Sequence, residues 1–303
     1  MTVASSGAGF TLARFVSAAS VAGSTLTTAA HFDVTPPTIS SSVISKTTQN
    51  LPGYIRPSRA FYVYANVTDP GSGASGVATV TADVSSIKAG STSVALVAGS
   101  YSVGGVSYGY RNASITADAK PAGTYSYTIR ATDNAGNSAT ATFPVVVDST
   151  APSGSDIQTT NGGTAGRPDT GDSIVFTYSE QIDPQTVLSG WMGASTSVTV
   201  RFTDNGATDL LAIWNAANNV QLPLGSVSLN GDYVTANTVF RGTMAQGGAT
   251  ITVTLGTMSS GVVSTNTFSQ AMTWTPSATA TDAAGNACTT TSRTESGTND
   301  VDF

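Results

Sequence analysis

The sequence predicts an all-β fold of two tandem sandwiches, and three observations carry that expectation. The hexapeptide Thr132-Asp-Asn-Ala-Gly-Asn137 returns as Thr281-Asp-Ala-Ala-Gly-Asn286, each time near the end of a long stretch rich in valine and threonine. Between the copies, Val145-Val-Val-Asp-Ser-Thr-Ala-Pro152 is an apolar run that stops at a turn-forming Asp and Ser and then a proline, the joint expected where one sandwich hands over to the next. Apolar residues alternate with period two, and helical periodicity is absent. The expected division is an amino-terminal arm over 1–33, a first sandwich over 34–150, a second over 151–292 and a carboxy-terminal tail over 293–303.

Composition agrees. Only 10% of the 303 residues are charged and 31 are glycine, so hydroxyls of Ser and Thr solvate the surface where Lys and Glu would otherwise do so. At the usual size of a domain this length gives two, each able to bury a core without staples. The one cysteine, Cys288, excludes an intramolecular disulfide. A net charge of −6 with twelve scattered basic residues argues against nucleic acid, which needs clustered Lys and Arg. No window approaches the ~18–20 apolar residues of a membrane span. Residues 1–9 lack the basic and apolar regions of a signal peptide, so the expectation is a secreted or cell-surface protein whose signal has been removed.

In the first unit, Ala60-Phe-Tyr-Val-Tyr-Ala-Asn-Val67 places Phe61, Val63, Ala65 and Val67 on one face and Tyr62 and Tyr64 on the other, a half-buried strand. It ends at Thr68-Asp-Pro-Gly-Ser-Gly73, where proline removes a ladder donor. With Ile39 to Ile44, Val77 to Val84, Ser93 to Val97, Tyr101 to Tyr110, Tyr125 to Ala131 and Ala139 to Val147, this gives about seven strands, the number of an immunoglobulin-like sandwich. In the hexapeptide, Asp133 and Asn134 can bond nearby amides and Gly136 can take a left-handed conformation, so the turn reverses the chain between the last two strands. Asp69-Pro-Gly-Ser-Gly73, Thr124 to Asn137 and Val147-Asp-Ser-Thr-Ala-Pro152 resemble the bacterial Ig-like repeats of large surface proteins and adhesins.

In the second unit, Thr170-Gly-Asp-Ser-Ile-Val-Phe-Thr-Tyr-Ser-Glu-Gln-Ile-Asp-Pro184 alternates Ile174, Phe176 and Tyr178 as core residues and breaks at Asp183-Pro184. It resembles the opening strand of Ig-like domains of S-layer proteins, which an Asp-x-Ala-Gly-Asn turn closes. Val198 to Phe202, Leu210 to Trp214, Val227 to Leu229, Ile251 to Leu255 and Met272 to Thr281 supply the other strands. Trp191, Trp214 and Trp274 are expected in the core. Residues 9–32 form a weakly alternating segment outside the sandwich count. It resembles the mature start of the camelysin and TasA family, departing where Ser17 replaces the usual Asp and Ser24 the usual Asn. The resemblance implies fibre formation, with copies of the chain joined by β-strand addition through Phe10, Leu12, Phe15, Val16, Val21 and Leu26. A strand without a hairpin partner seeks an open sheet edge, in its own molecule or the next.

Enzymatic chemistry has little to work with, and the expectation is that the chain is not an enzyme. A Ser/His/Asp or Cys/His constellation must pass through His31, the one histidine, and Cys288 reads as a buried small hydrophobe. Zinc-binding spacing is missing, and Glu180, Asp183 and Asp204 combine into a carboxylate pair only by guesswork. No cofactor is required. Structural Ca2+ is the better candidate, because calcium takes six to eight oxygens and Asp33, Asp69, Asp133 and Asp148 lie near the turns and joints, although Asp is also a favoured turn residue. Tyr101, Tyr108 and Tyr110 are a candidate stacking platform for cell-surface or host glycans, or ordinary cross-strand pairs. The leading expectation is a structural subunit of a surface fibre, and the alternative is an adhesin or glycan-binding stalk.

Overall fold

The computed structural model describes residues 33–47 and 51–303. Within them the chain is nearly all β, the exception being a single helical turn, α1, at Pro184–Val187. The first unit contains β1 (Thr38–Lys46), β2 (Tyr54–Ile55), β3 (Ala60–Thr68), β4 (Val77–Asp83), β5 (Val94–Val103), β6 (Val106–Asn112), β7 (Ile115–Thr116), β8 (Gly123–Asp133) and β9 (Ser138–Val147). They hydrogen-bond in the order β1-β3-β6-β5-β4-β8-β9-β2, with β7 also on β3. All pairs are antiparallel except β2 with β9. Where the path ends, the Gly53 amide donates to the Ile44 carbonyl at 2.7 Å, so the sheet curls back toward β1 like a barrel.

The second unit contains β10 (Gly154–Thr160), β11 (Ser173–Tyr178), β12 (Thr196–Thr203), β13 (Leu210–Asn215), β14 (Ser226–Ser228), β15 (Val234–Gly247), β16 (Thr250–Val263), β17 (Thr273–Thr275) and β18 (Arg293–Thr294). Their order is β10-β11-β16-β15-β12-β13-β14-β17-β18. Here too the ends approach: Arg293 Nε donates to the Gly154 carbonyl at 2.8 Å and the Ser296 amide to Asp156 Oδ1 at 3.0 Å.

Each unit has its own core, which period-two alternation builds. Phe61, Val63, Ala65, Tyr127, Ile129 and Ala131 face inward in the first, and Ile174, Phe176, Tyr178, Val198, Val200 and Phe202 in the second. Trp274 is fully buried; its ring meets Phe176 and Tyr178 edge to face at 5.3 and 5.0 Å, and its Nε1 donates to the Leu224 carbonyl.

Several sequence expectations need correcting. Residues 293–303 are not a tail, because β18 pairs with β17 and Phe303 is 0% exposed, wedged against Phe202 and Tyr233. Trp191 and Trp274 are core residues, whereas Trp214 lies on the outer face of its sheet under the Arg201 guanidinium, 3.6 Å from the ring centre. The Gly-rich stretch Tyr101 to Tyr110 is a hairpin turned at Gly104-Gly105, so it supplies parts of two strands to the count. In the second unit the hexapeptide joins isolated bridges, Ile182 to Asp282 and Thr281 to Ala287, instead of two long strands. The arm residues Phe10, Leu12, Phe15, Val16, Val21, Leu26 and His31 lie outside the described residues.

The units meet through buried charge. Lys46, the last residue of β1, sends its ammonium into the second unit, where Asp183 Oδ2 takes it at 2.6 Å and the Asp282 carbonyl accepts a hydrogen bond at 2.9 Å. Both side chains are almost wholly buried. Asp183 also caps α1 by accepting from the Gln185 amide. The β5–β6 hairpin tip at Gly104-Gly105 borders a cavity shared with Gln185 and Met192 of the second unit.

Candidate functional site

The repeated hexapeptide builds the same device twice. In the first unit Asp133, 2% exposed, accepts the Asn137 amide on Oδ1 and the Asn137 side-chain amide on Oδ2, both at 2.8 Å. In the second, Asp282 accepts the Gly285 and Asn286 amides on Oδ1 and the Asn286 side chain on Oδ2. Gly136 and Gly285 both take φ of +92°, which only glycine adopts at little cost, so the turn closes identically. The remaining hydrogen of each Asn amide reaches the chain entering that unit: Asn137 Nδ2 donates to the Asp33 carbonyl and Asn286 Nδ2 to the Asp148 carbonyl, each at 3.2 Å.

This clasp gathers three carboxylates at the head of each unit. Asp33, Asp69 and Asp133 bring ligand oxygens within 4.8 Å of one another, as do Asp148, Glu180 and Asp282. Asp33 and Asp148 each begin a tight turn, accepting the amides of Thr35 and Thr150 two residues on. In the first cluster Asp69 Oδ2 takes the Gly76 amide, while Asp69 Oδ1 is buried with no hydrogen-bond partner among the described residues. Amides of Ser75 and Thr35 hold the Asp33 carboxyl below its usual range. In the second cluster burial, with Asp148 and then Asp282 beside it, pushes Glu180 up to about 7. A third group, Glu295, Asp300 and Asp302, gathers near the end of the second unit. There burial foremost, then Asp302, raises Glu295 to about 7, and burial foremost raises Asp302 to about 6.

The four aspartates expected from the sequence thus divide: Asp33, Asp69 and Asp133 converge, and Asp148 belongs to the second cluster. Glu180 and Asp282 complete that cluster, and neither is in the sequence-derived set. The signal for Asp282 was present, since it occupies the place of Asp133 in the second hexapeptide.

The tyrosines do not make an exposed platform. Tyr108 is 8% exposed and packs with Tyr64 and Val103, Tyr110 leans on the main core, and Tyr101 stacks on Arg111, 4.4 Å from guanidinium to ring centre, opposite Tyr62 at 4.2 Å. Cys288 is a buried small residue; burial first, then Glu180, raises its thiol to about 11.

No family model matches the chain, and no curated protein matches it. Among solved structures, dimeric latent PorU from Porphyromonas gingivalis is similar at 14% identity and a TM-score of 0.22, over 74% of this chain and 20% of that one. A likeness that slight decides neither fold nor function.

Glu180 gives a pH prediction. Its folded pKa is raised, so the folded form holds the proton more tightly than the unfolded chain. Its contribution to stability is complete below about pH 4.5 and declines as pH rises through about 7. In chelator, the urea midpoint of the second unit, read by tryptophan fluorescence, should fall further between pH 5 and pH 8 in the wild type than in Glu180→Gln. Equal falls would show that Glu180 is not held protonated by its neighbours.

Proposed function

We propose that this chain is an extracellular structural module of a bacterial surface, a stalk of two Ig-like sandwiches in series whose heads take calcium. The observation that carries the reading is the duplicated carboxylate cluster, placed where the chain enters each unit and, at the second, beside the Lys46–Asp183 contact. The donor set fits the ion. Three carboxylates within 4.8 Å repel one another without a cation, and the buried Asp69 Oδ1 has no hydrogen-bond partner among the described residues. Asp33, Asp69 and Asp133 would hold one ion and Asp148, Glu180 and Asp282 the other. Bound calcium would neutralise the clusters and tie each entering strand to its turn, fixing the angle between consecutive units.

Calorimetric titration into chelator-treated protein should show two sites, with dissociation constants of about 10⁻⁴–10⁻³ M, the range of extracellular modules. The thermal midpoint should rise with calcium by mass action. Asp69→Asn and Glu180→Gln should each remove one site and leave the other. No heat and no thermal shift at about 10 mM calcium, well above that range, would defeat the reading.

One observation favours a second reading, assembly into a fibre by strand addition. β16 outruns its neighbour: β11 pairs with Thr250 to Thr254, and among the described residues nothing pairs with the outer edge of Thr257 to Val263. This edge carries no charge and no proline and exposes Met258 and Val262, so it lacks the usual protection against a foreign strand. Residues 9–28 of another copy are the proposed donor. On this reading the full chain forms species of high mass in light scattering, and a chain starting at Asp33 stays monomeric. Equal masses for the two would remove the arm from any assembly.

A further inference from the structure

The outer face of the second sheet holds a cavity of about 390 Å³ bounded by β12, β15, β16 and the turn after β13. Val198, Val200 and Phe202 of β12 point into the core, so Ser197, Thr199 and Arg201 alternate to this face. Arg241 of β15 stands opposite Thr199 in the sheet register.

The lining is rich in donors and holds no carboxylate: Ser197, Thr199, Asn218 and Arg241 bring the polar groups, and Val239 and Ala216 an apolar part. Arg241 has neither an ion pair nor a hydrogen-bond partner for its guanidinium among the described residues, where the salt bridges are Lys46 with Asp183 and Lys88 with Asp118. Thr199 is 5% exposed, yet its hydroxyl has no partner among the described residues. Thr199 lines the cavity. Asn218 takes a left-handed conformation, φ 58°, in the turn where its amide donates to the Asn215 carbonyl, and Arg201 bonds both its side-chain oxygen and its carbonyl. Its side-chain NH2 remains without a partner among the described residues. Stacking on Trp214 holds Arg201 in turn, so the Asn218 side chain that Arg201 bonds at the cavity edge is held in place before any ligand arrives.

Such a site suits a ligand with many acceptors and a negative charge, with a face of C–H groups to lie on the apolar part. The volume is within the usual range for small-molecule sites and takes a sugar ring. We propose that this cavity binds a carboxylate-bearing saccharide, its carboxylate on Arg241 and its hydroxyls on Thr199, Ser197 and Asn218. A cation or a neutral apolar ligand would leave these donors unpaired. The site shares no residue with the carboxylate clusters, so it stands whether or not calcium binds there.

Amide chemical shifts of the whole chain, followed during titration with sodium glucuronate, glucose, acetate and inorganic phosphate, test the assignment. Glucuronate should move the amides of residues 197–199, 218 and 239–242 and bind at least about tenfold more tightly than glucose or acetate, a gap of about 1.4 kcal/mol. Arg241→Gln, at an exposed position, and Thr199→Val, close in shape, should each weaken glucuronate by about tenfold with the thermal midpoint unchanged. Shifts elsewhere, no shifts, an undiminished affinity in Arg241→Gln, or phosphate or acetate binding as tightly as glucuronate would each overturn it.

Discussion

Lys46 takes its ammonium out of water, and among the described residues Asp183 and the Asp282 carbonyl receive it. The cost of desolvating such a charge is several kcal/mol, so the contact exists only while both units hold their places. Asp183 is meanwhile tied to α1 through the Gln185 amide and to Thr281 through its own amide, and Asp282 is the pivot of the hexapeptide turn. One side chain from the first unit thereby engages the two residues that organise the head of the second.

The hexapeptide is the other half of the joint. Its Asp collects backbone amides, its Gly closes the turn, and its Asn holds the incoming strand by a carbonyl. Repeating the device gives each unit the same entrance and leaves three carboxylates in each entrance. Burial makes the second cluster costly as three anions, which is why Glu180 keeps its proton to about pH 7. On the proposed calcium reading, a divalent cation would resolve the same conflict without protons.

Much of the frame was legible in the sequence, because alternation and turn chemistry are local. Strands such as β3, β8 and β9 follow from period two, and the duplicated turn and the joint at Asp148 follow from the repeat. Other features depend on partners far away in the chain. Nothing local marks Lys46 as buried, since a lysine at a strand end reads as a solvated residue, and Asp183 reads as a strand break before Pro184. Phe303 enters the core without any periodic neighbour to announce it. The outward position of Trp214 was legible, since Leu211 and Ile213 alternate against it, but aromatic size argued for the core. β15 was missed where Asn, Arg and Gly interrupt Val234, Phe240 and Met244. Glu180 drew notice as a carboxylate, and only the fold shows that Asp148 and Asp282 are its neighbours.

The coupling between the units is open to direct measurement by a double-mutant cycle at Lys46 and Asp183, with urea unfolding followed by tryptophan fluorescence. Lys46→Met and Asp183→Leu should each cost about 3–5 kcal/mol, because each strands the other buried charge, and the pair together should cost far less than the two singly. Additive losses, or a negligible loss from Lys46→Met alone, would show that the ion pair does not join the two sandwiches.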